Sequence, residues 1–168
     1  MCAPAAATLW TARSDMPAES AGVLLWRRRK TSVEVFLIHP GGPFWKNKDA
    51  GAWSIPKGLA DPKEDHLAAA KREFTEETGF TIAGDYVLLG RFKQSSAKML
   101  TVYALEGDCE PTQLVSNTFS LEWPPKSGRM QDFPEADRGA WFGTRDAVEK
   151  ILNGQLPLLE KLALLLAK

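Results

Sequence analysis

The chain has 168 residues, of which 44% are hydrophobic and 25% charged, and its 21 Lys and Arg residues balance 21 Asp and Glu residues. This composition predicts one globular domain with a sizeable core. The zero net charge argues against a general nucleic-acid-binding protein, which normally has a basic excess. Two cysteines without metal-ligand spacing favour a reduced, cytoplasmic protein. No apolar run reaches the ~18 residues of a membrane span, and no secretory signal is recognisable.

The N-terminal residues 1–18 are rich in Ala and Pro and show no hydrophobic period. We interpret them as a loosely ordered extension that precedes a single domain at 19–168. Strands are predicted at 20–26 and 33–39, where apolar and β-branched residues are frequent. The basic turn at 27–30 is expected to be a solvated hairpin tip, with a phosphate-attracting patch as the alternative.

A helix is predicted to follow and to end at Gly79, since glycine suits the left-handed conformation of a C-cap. Its start is open between two arrangements. Asp61 and Glu64 could form a capping box, or Asp65 could cap a helix that begins at His66. The expected buried stripe of this helix consists of Leu67, Ala70, Phe74 and Thr78.

The remaining segments predict further strands and two short helices. Strands are expected near 86–93, 98–105 and 117–122 and around 140–142, with a loop at 124–133. Helices are expected at 144–152, capped by Thr144, and at 156–167. Strands interspersed with a few helices indicate one α/β domain.

Three carboxylates on the first helix form the most informative feature of the sequence. Glu73, Glu76 and Glu77 are spaced i, i+3 and i+4, so they lie on one helix face. Ionised carboxylates this close repel each other and destabilise a bare helix. A divalent cation removes the repulsion, and clustered oxygen ligands suit Mg²⁺ or Mn²⁺. Ala69, one turn before Glu73, is expected to leave room for a metal or phosphate.

The segment from Gly58 to Phe80 resembles the Nudix box, G-x5-E-x7-R-E-U-x-E-E-x-G-U, in which U is bulky and apolar. Gly58, Glu64 and the run from Arg72 to Phe80 fill every fixed position. The resemblance implies a Nudix-type α/β/α sandwich with a mixed β-sheet. It also implies a hydrolase of phosphoric anhydride bonds that depends on Mg²⁺ or Mn²⁺, since a metal neutralises the diphosphate and activates water.

The carboxylate face and the resemblance together suggest roles for individual residues. Glu73 and Glu77, one turn apart, are the first candidates for metal ligands, and Glu76 is a third ligand or a general base. The resemblance implies that Gly58 offers its backbone carbonyl to the metal. It further implies a salt bridge between Arg72 and Glu64 that holds the loop against the helix.

A further catalytic carboxylate is expected from outside the box, as in many members of the family. Glu135 and Asp137 are the candidates. Glu135 lies six residues before Trp141, in a segment where relatives carry an acidic residue ahead of a Trp-Phe pair. The alternative is that both are surface acids beside a strand.

Substrate-binding residues are predicted from a second resemblance. The segment 53–58 resembles the entry to the box in hydrolases of diadenosine tetraphosphate and of diphosphoinositol polyphosphates. Lys57 could contact phosphate, Trp45 could stack on a base, and Lys98 and Tyr103 occupy a strand that contacts substrate in such hydrolases. Packing or solvent exposure is the alternative for each.

The best substrate hypothesis is a dinucleoside polyphosphate such as diadenosine tetraphosphate. The loop 124–133 is interpreted as a flexible connection, with a loop that folds over the polyphosphate as the alternative. Other Nudix substrates remain alternatives, namely nucleoside triphosphates, ADP-ribose, diphosphoinositol polyphosphates and RNA 5′ ends. A non-catalytic nucleotide sensor is a further alternative. The expected partner is a small nucleotide or polyphosphate, and neither a membrane nor nucleic acid is expected.

Overall fold

A computed structural model describes residues 16–168 of the chain. The strands are β1 (Ala18–Arg29), β2 (Ser32–Pro40), β3 (Lys57–Leu59), β4 (Val87–Ser95), β5 (Lys98–Glu106), β6 (Thr118–Glu122), β7 (Met130–Pro134) and β8 (Ala136–Gly143). The helices are α1 (His66–Thr78), α2 (Thr144–Lys150) and α3 (Leu156–Leu166). Residues 1–15 of the extension interpreted at 1–18 lie outside the described part of the chain. Within the described part, β1 begins at Ala18. No described helix has the length and apolar character of a membrane span.

Six strands form one mixed sheet in the order β4-β5-β1-β2-β8, and β3 pairs with the first half of β1. β1 and β5 run parallel, whereas the other pairs are antiparallel. The pairing of β3 with β1 places Gly58 opposite Ala21. The start of the acidic segment is thereby fixed to the central strand of the sheet.

Helices cover both faces of this sheet. On one face, Ala70 and Phe74 of α1 pack with Val23 and Phe36 in a buried cluster. On the other face, Leu158 and its neighbours in α3 pack with α2 residues on a second apolar cluster. Each fully buried Leu or Phe contributes roughly 1.5–3 kcal/mol. The predicted α/β/α sandwich with a mixed sheet is confirmed.

The ends of α1 resolve the alternatives that the sequence left open. Asp65 is the N-cap, and its Oδ2 accepts a hydrogen bond from the backbone N–H of Ala68 at 3.1 Å. Gly79 is the C-cap with φ of 77°, as predicted. Glu64 Oε2 still accepts the Asp61 N–H at 3.0 Å, so Glu64 orders the loop before the helix.

Several expectations from the sequence are wrong in detail. Ala69 is fully buried in the α1 core, so it leaves no room for a metal or phosphate. Leu67 is only half-buried. The predicted loop 124–133 ends in β7, which pairs with β6 in a separate two-stranded hairpin. Thr144 does not cap α2, because Gly143 occupies the N-cap position.

Candidate active site

Arg72 organises the acidic face of α1 and the loop before it. Its guanidinium donates to both carboxylate oxygens of Glu64, Nε at 2.9 Å and Nη2 at 3.0 Å. Nη2 also donates to the backbone carbonyl of Leu59 at 2.9 Å. Nη1 donates to Glu73 at 2.8 Å and to Glu76 at 3.1 Å. The salt bridge expected between Arg72 and Glu64 is therefore present, and the same guanidinium offsets the repulsion among the helix carboxylates.

Gly58 brings the β3 backbone into direct contact with the carboxylate of Glu73. A Cβ atom at position 58 would lie 2.0 Å from Oε2 and 2.1 Å from Cδ of Glu73. Only a residue without a side chain allows this approach. The Glu73 side chain is 12% exposed and lies between the strand and Arg72.

Glu77 is a largely buried carboxylate of the acidic face. The backbone N–H of Lys57 donates to its Oε2 at 2.8 Å. Burial raises the pKa of Glu77 to about 8, against the lowering effect of this hydrogen bond and of the Lys57 charge. Glu73 and Glu135 raise it further through their negative charges. Burial thus disfavours the ionised form of Glu77, and a bound cation would compensate its negative charge.

Glu135 joins the helix carboxylates although it lies far from them in sequence. The segment 115–117 connects it to α1, since the N–H of Asn117 donates to the Glu76 carbonyl and the N–H of Glu135 donates to the Asn117 carbonyl, both at 2.8 Å. Partial burial raises the pKa of Glu135, and the charges of Glu73 and Glu76 add to this effect. The structure thus places Glu135, predicted as a further carboxylate, beside the acidic face.

A cavity of about 170 Å³ adjoins these carboxylates. Two of its lining residues, Glu77 and Glu135, carry the acidic side, and two others, Trp45 and Lys57, were predicted to bind substrate. The remaining lining residues are Ile38, Pro40, Ala52, Ser54, Ile55 and Leu152. Lys48 Nζ lies 4.9 Å from the centre of the Trp45 ring, a cation–π distance. No pattern in the sequence distinguishes the apolar residues of this lining from ordinary core residues. The contact of Lys48 with Trp45 had a local signal, because the two residues are three positions apart.

Two predicted substrate-binding residues lie elsewhere. Lys98 is exposed at the start of β5, opposite Ala18. Tyr103 is half-buried in the α1 face of the sheet, where burial and the charge of Asp65 raise its pKa. Neither residue lines the cavity, because β5 lies on the far side of β1 from β2 and β8. Of the cavity lining, β2 supplies Ile38, and Glu135 directly precedes β8.

Asp137, the alternative to Glu135, has a different partner. Its Oδ1 lies 2.9 Å from Nδ1 of the fully buried His39, and the other ring nitrogen of His39 lies 2.6 Å from the Lys48 carbonyl. This arrangement ties the loop that carries Trp45 to β8. Asp137 and His39 therefore have a structural role in this arrangement.

The donor set fits a hard divalent cation. Every candidate ligand is an oxygen, from Glu73, Glu76, Glu77 and Glu135 and from the Gly58 carbonyl, and such sets suit Mg²⁺ or Mn²⁺. The close approach of Gly58 to Glu73, here called the glycine cradle, keeps the Glu73 carboxylate at β3. A Cβ atom at position 58 would exclude the carboxylate from this place. Among residues 16–168, no three acidic, His or Cys side chains form a ready-made metal site, and Arg72 contacts both Glu73 and Glu76.

The Arg72–Glu64 pair predicts an acid-dependent contribution to stability. Hydrogen bonds from Arg72 lower the pKa of Glu64 from 4.5 to about 2. A depressed pKa stabilises the folded state above pH 4.5, and this stabilisation is lost as the pH falls towards 2. We expect Glu64→Gln to lower the thermal midpoint at neutral pH by about 2 °C and to be neutral near pH 2.

Thermal unfolding of this variant across that pH range is the measurement, with Glu149→Gln, an exposed residue of α2, as the control. A difference between wild type and Glu64→Gln that is the same at every pH would contradict the role of this ion pair.

The sandwich, the glycine cradle and the carboxylate face define a Nudix-type domain. A profile of the NUDIX domain family matches residues 16–162, and the chain belongs to this family. The RNA pyrophosphohydrolase of Caulobacter vibrioides (strain NA1000 / CB15N) is 39% identical over 69 residues, which are 38% of either chain. This match therefore spans about two fifths of the length of that relative.

Two solved structures illustrate the shared fold. An Ap4A hydrolase of C. elegans in a binary complex aligns over 89% of this chain and 98% of its own, with 22% identity and a TM-score of 0.57. The NUDIX domain of Shewanella oneidensis NrtR, complexed with ADP ribose, aligns over 89% of this chain and 88% of its own, with 14% identity and a TM-score of 0.61. At these identities the similarity establishes the fold.

Proposed function

We propose that the protein is a divalent-metal-dependent pyrophosphohydrolase that cleaves dinucleoside polyphosphates such as diadenosine tetraphosphate. The observation that carries the proposal is the arrangement around Gly58, where the glycine admits the Glu73 carboxylate beside Glu76 and Glu77 on the same face of α1. Backbone hydrogen bonds through Asn117 connect Glu135 to this helix. Hydrolysis of a phosphoric anhydride requires compensation of negative charge, and a carboxylate cluster achieves this through a cation.

In this proposal, Glu73, Glu77 and the Gly58 carbonyl hold Mg²⁺ or Mn²⁺, and Glu76 is the third side-chain ligand. When bound, the cation neutralises the diphosphate and lowers the pKa of the attacking water. Arg72 keeps Glu73 and Glu76 close to the strand before the ion arrives.

We assign Glu135 as the general base that accepts a proton from the attacking water. The pKa of the Glu135 carboxyl group is raised above the ordinary value and so lies nearer to neutral pH, which suits a general base. It belongs to the segment between β7 and β8, not to α1, so it approaches the cavity from a second direction.

The choice of substrate is supported by the cavity and by the fold. Trp45 offers an aromatic surface with a lysine beside it, and Lys57 offers a cation next to Glu77. These groups suit a nucleotide, whose base stacks and whose phosphates bear negative charge. The fold aligns over most of its length with a C. elegans Ap4A hydrolase.

Removal of pyrophosphate from RNA 5′ ends is the second candidate. It is favoured by the 69-residue match to an RNA pyrophosphohydrolase. The zero net charge of the chain disfavours it, since a long RNA footprint normally requires a basic surface.

A substrate panel with Mg²⁺ or Mn²⁺ and product identification tests the proposal. It contains diadenosine tetraphosphate, ATP, ADP-ribose, a diphosphoinositol polyphosphate and a 5′-triphosphorylated RNA. We expect the highest kcat/KM for diadenosine tetraphosphate and complete loss of hydrolysis in EDTA. Nucleotide binding without hydrolysis of any member would identify a sensor instead, and a preference for the RNA would favour the second candidate.

A further inference from the structure

A second cleft lies beside the carboxylate cavity and has an aromatic wall. It measures about 480 Å³, whereas the carboxylate cavity measures about 170 Å³. Pockets for small organic ligands usually measure about 300–1,000 Å³. The carboxylate cavity therefore accommodates only part of a nucleotide, and the second cleft is large enough for a nucleoside. Its lining residues are Gly42, Pro43, Lys46, Trp123, Gln131, Phe133, Pro134 and Asp137.

The cleft forms where the β6–β7 hairpin packs on the loop after β2. Phe44 and Trp123 meet edge to face, with 5.4 Å between ring centres. Gly42, with φ of 94°, passes so close to the hairpin that a Cβ there would lie 3.0 Å from the Phe119 ring. The N–H of Gly41 donates to the Glu135 carbonyl at 3.0 Å. The aromatic wall is thus held in place by packing and by the backbone.

The same two chain segments line both the cleft and the carboxylate cavity. Pro40 faces the cavity and Gly42 the cleft, and Pro134 lines the cleft directly before Glu135 in the cavity. A linear ligand whose phosphates occupy the carboxylate site therefore has an adjoining site for its other end. The exposed Lys46 at the cleft supplies positive charge for the phosphates between them.

The chemistry of the lining indicates a nucleobase. Trp123 and Phe133, both half-buried, supply flat apolar surfaces on which a base can stack. The Gln131 amide can both donate and accept hydrogen bonds at a base edge, and the Asp137 carboxylate accepts them.

We propose that this cleft binds the second nucleoside of a two-ended substrate, so that it selects dinucleoside polyphosphates over mononucleotides. The inference rests on the proposed function, since it requires a polyphosphate held at the carboxylates. Loss of one stacked base corresponds to about a 5- to 150-fold change in affinity.

The test compares kcat/KM for diadenosine tetraphosphate with kcat/KM for ATP, as a ratio, in wild type, Trp123→Ala, Trp123→Phe and Met130→Ala. We expect Trp123→Ala to lower the ratio at least about 5-fold. Trp123→Phe should retain most of it, because phenylalanine keeps an aromatic face. Met130 lies on the same hairpin, is 67% exposed and lies outside the cleft lining, so Met130→Ala is the matched control. An unchanged ratio in Trp123→Ala, or an equal drop in Met130→Ala, would overturn the inference.

A binding experiment separates failure of the cleft from failure of the proposed function. In ¹H–¹⁵N NMR spectra of the wild-type protein, adenosine 5′-monophosphate should shift the indole signal of Trp123 and the side-chain amide of Gln131. Hydrolysis of diadenosine tetraphosphate without these shifts would refute the cleft alone. Shifts in the absence of hydrolysis would refute the proposed function, and with it the role of the cleft in substrate choice.

Discussion

Glu77→Gln is expected to lower turnover at least about 100-fold while it raises the stability of the metal-free protein. The activity falls because a neutral amide replaces a buried ligand, and changes at even the outer shell of metal sites cost about 10- to 100-fold. The fold persists because the amide oxygen can still accept the N–H of Lys57. Removal of a buried charge explains the gain in stability.

The gain in stability should depend on pH in a defined direction. Burial raises the pKa of Glu77 from 4.5 to about 8 in the folded protein. As the pH rises, the unfolded chain therefore loses this proton at a lower pH than the folded protein does. Wild-type stability therefore declines as the pH rises from 4.5 towards 8, and the decline is complete above 8. We expect Glu77→Gln to unfold at a higher temperature than wild type near pH 9, with little difference near pH 4.

Calorimetry in EDTA and steady-state kinetics with Mg²⁺ measure the two effects on the same preparations. Glu160→Gln, an exposed residue of α3, is the control and should match wild type in both. Near wild-type turnover of Glu77→Gln at saturating Mg²⁺ would refute its assignment as a ligand.

Gly58→Ala is expected to lower turnover at least about 100-fold with only a small change in the stability of the fold. The new methyl group would lie 2.0 Å from Oε2 of Glu73, so that carboxylate must leave the strand. The displaced atoms are the end of a flexible side chain, and Gly58 is outside the left-handed region of backbone conformations. The fold can therefore absorb the substitution, whereas the metal site cannot.

Gly143→Ala is the matched control for this experiment. A Cβ at Gly143 meets no atom within 4 Å, and its φ of −57° suits any residue. Circular dichroism melts and kinetics should show Gly143→Ala close to wild type in both properties. If Gly58→Ala kept its activity, the close approach of strand and carboxylate would have no functional role.

The α1 region could be predicted almost completely from sequence because its determinants are local. Helical periodicity identified the common face of Glu73, Glu76 and Glu77, and the glycine after the helix identified its end. Leu67 and Ala69 were the exceptions, since Leu67 is only half-buried. Ala69 follows the same periodicity as the carboxylates, yet it is fully buried, because the sheet lies against the first turns of α1. Sequence spacing identifies a helix face but not how far the neighbouring layer extends over it.

The residues that depend on long-range contacts were predicted less well. Glu135 was predicted only from the family resemblance, since the backbone hydrogen bonds of Asn117 that connect it to α1 carry no side-chain signal. Tyr103 was misplaced because strand order, which decides which strands flank the cavity, is not encoded in any local pattern. The first strand of the β6–β7 hairpin was predicted near 117–122, whereas β7 was predicted as part of a loop at 124–133, since it is short and mostly exposed.

Titration of the protein with Mn²⁺, followed by electron paramagnetic resonance, measures metal binding at the α1 carboxylates. Free Mn²⁺ gives a strong signal that is lost on binding, so the affinity is measured without any substrate. We expect wild type and Glu160→Gln to bind Mn²⁺ with the same affinity, and Glu77→Gln and Gly58→Ala to bind it at least about 10-fold more weakly. Equal affinity in all four proteins would contradict a metal site at the Glu73, Glu76 and Glu77 face.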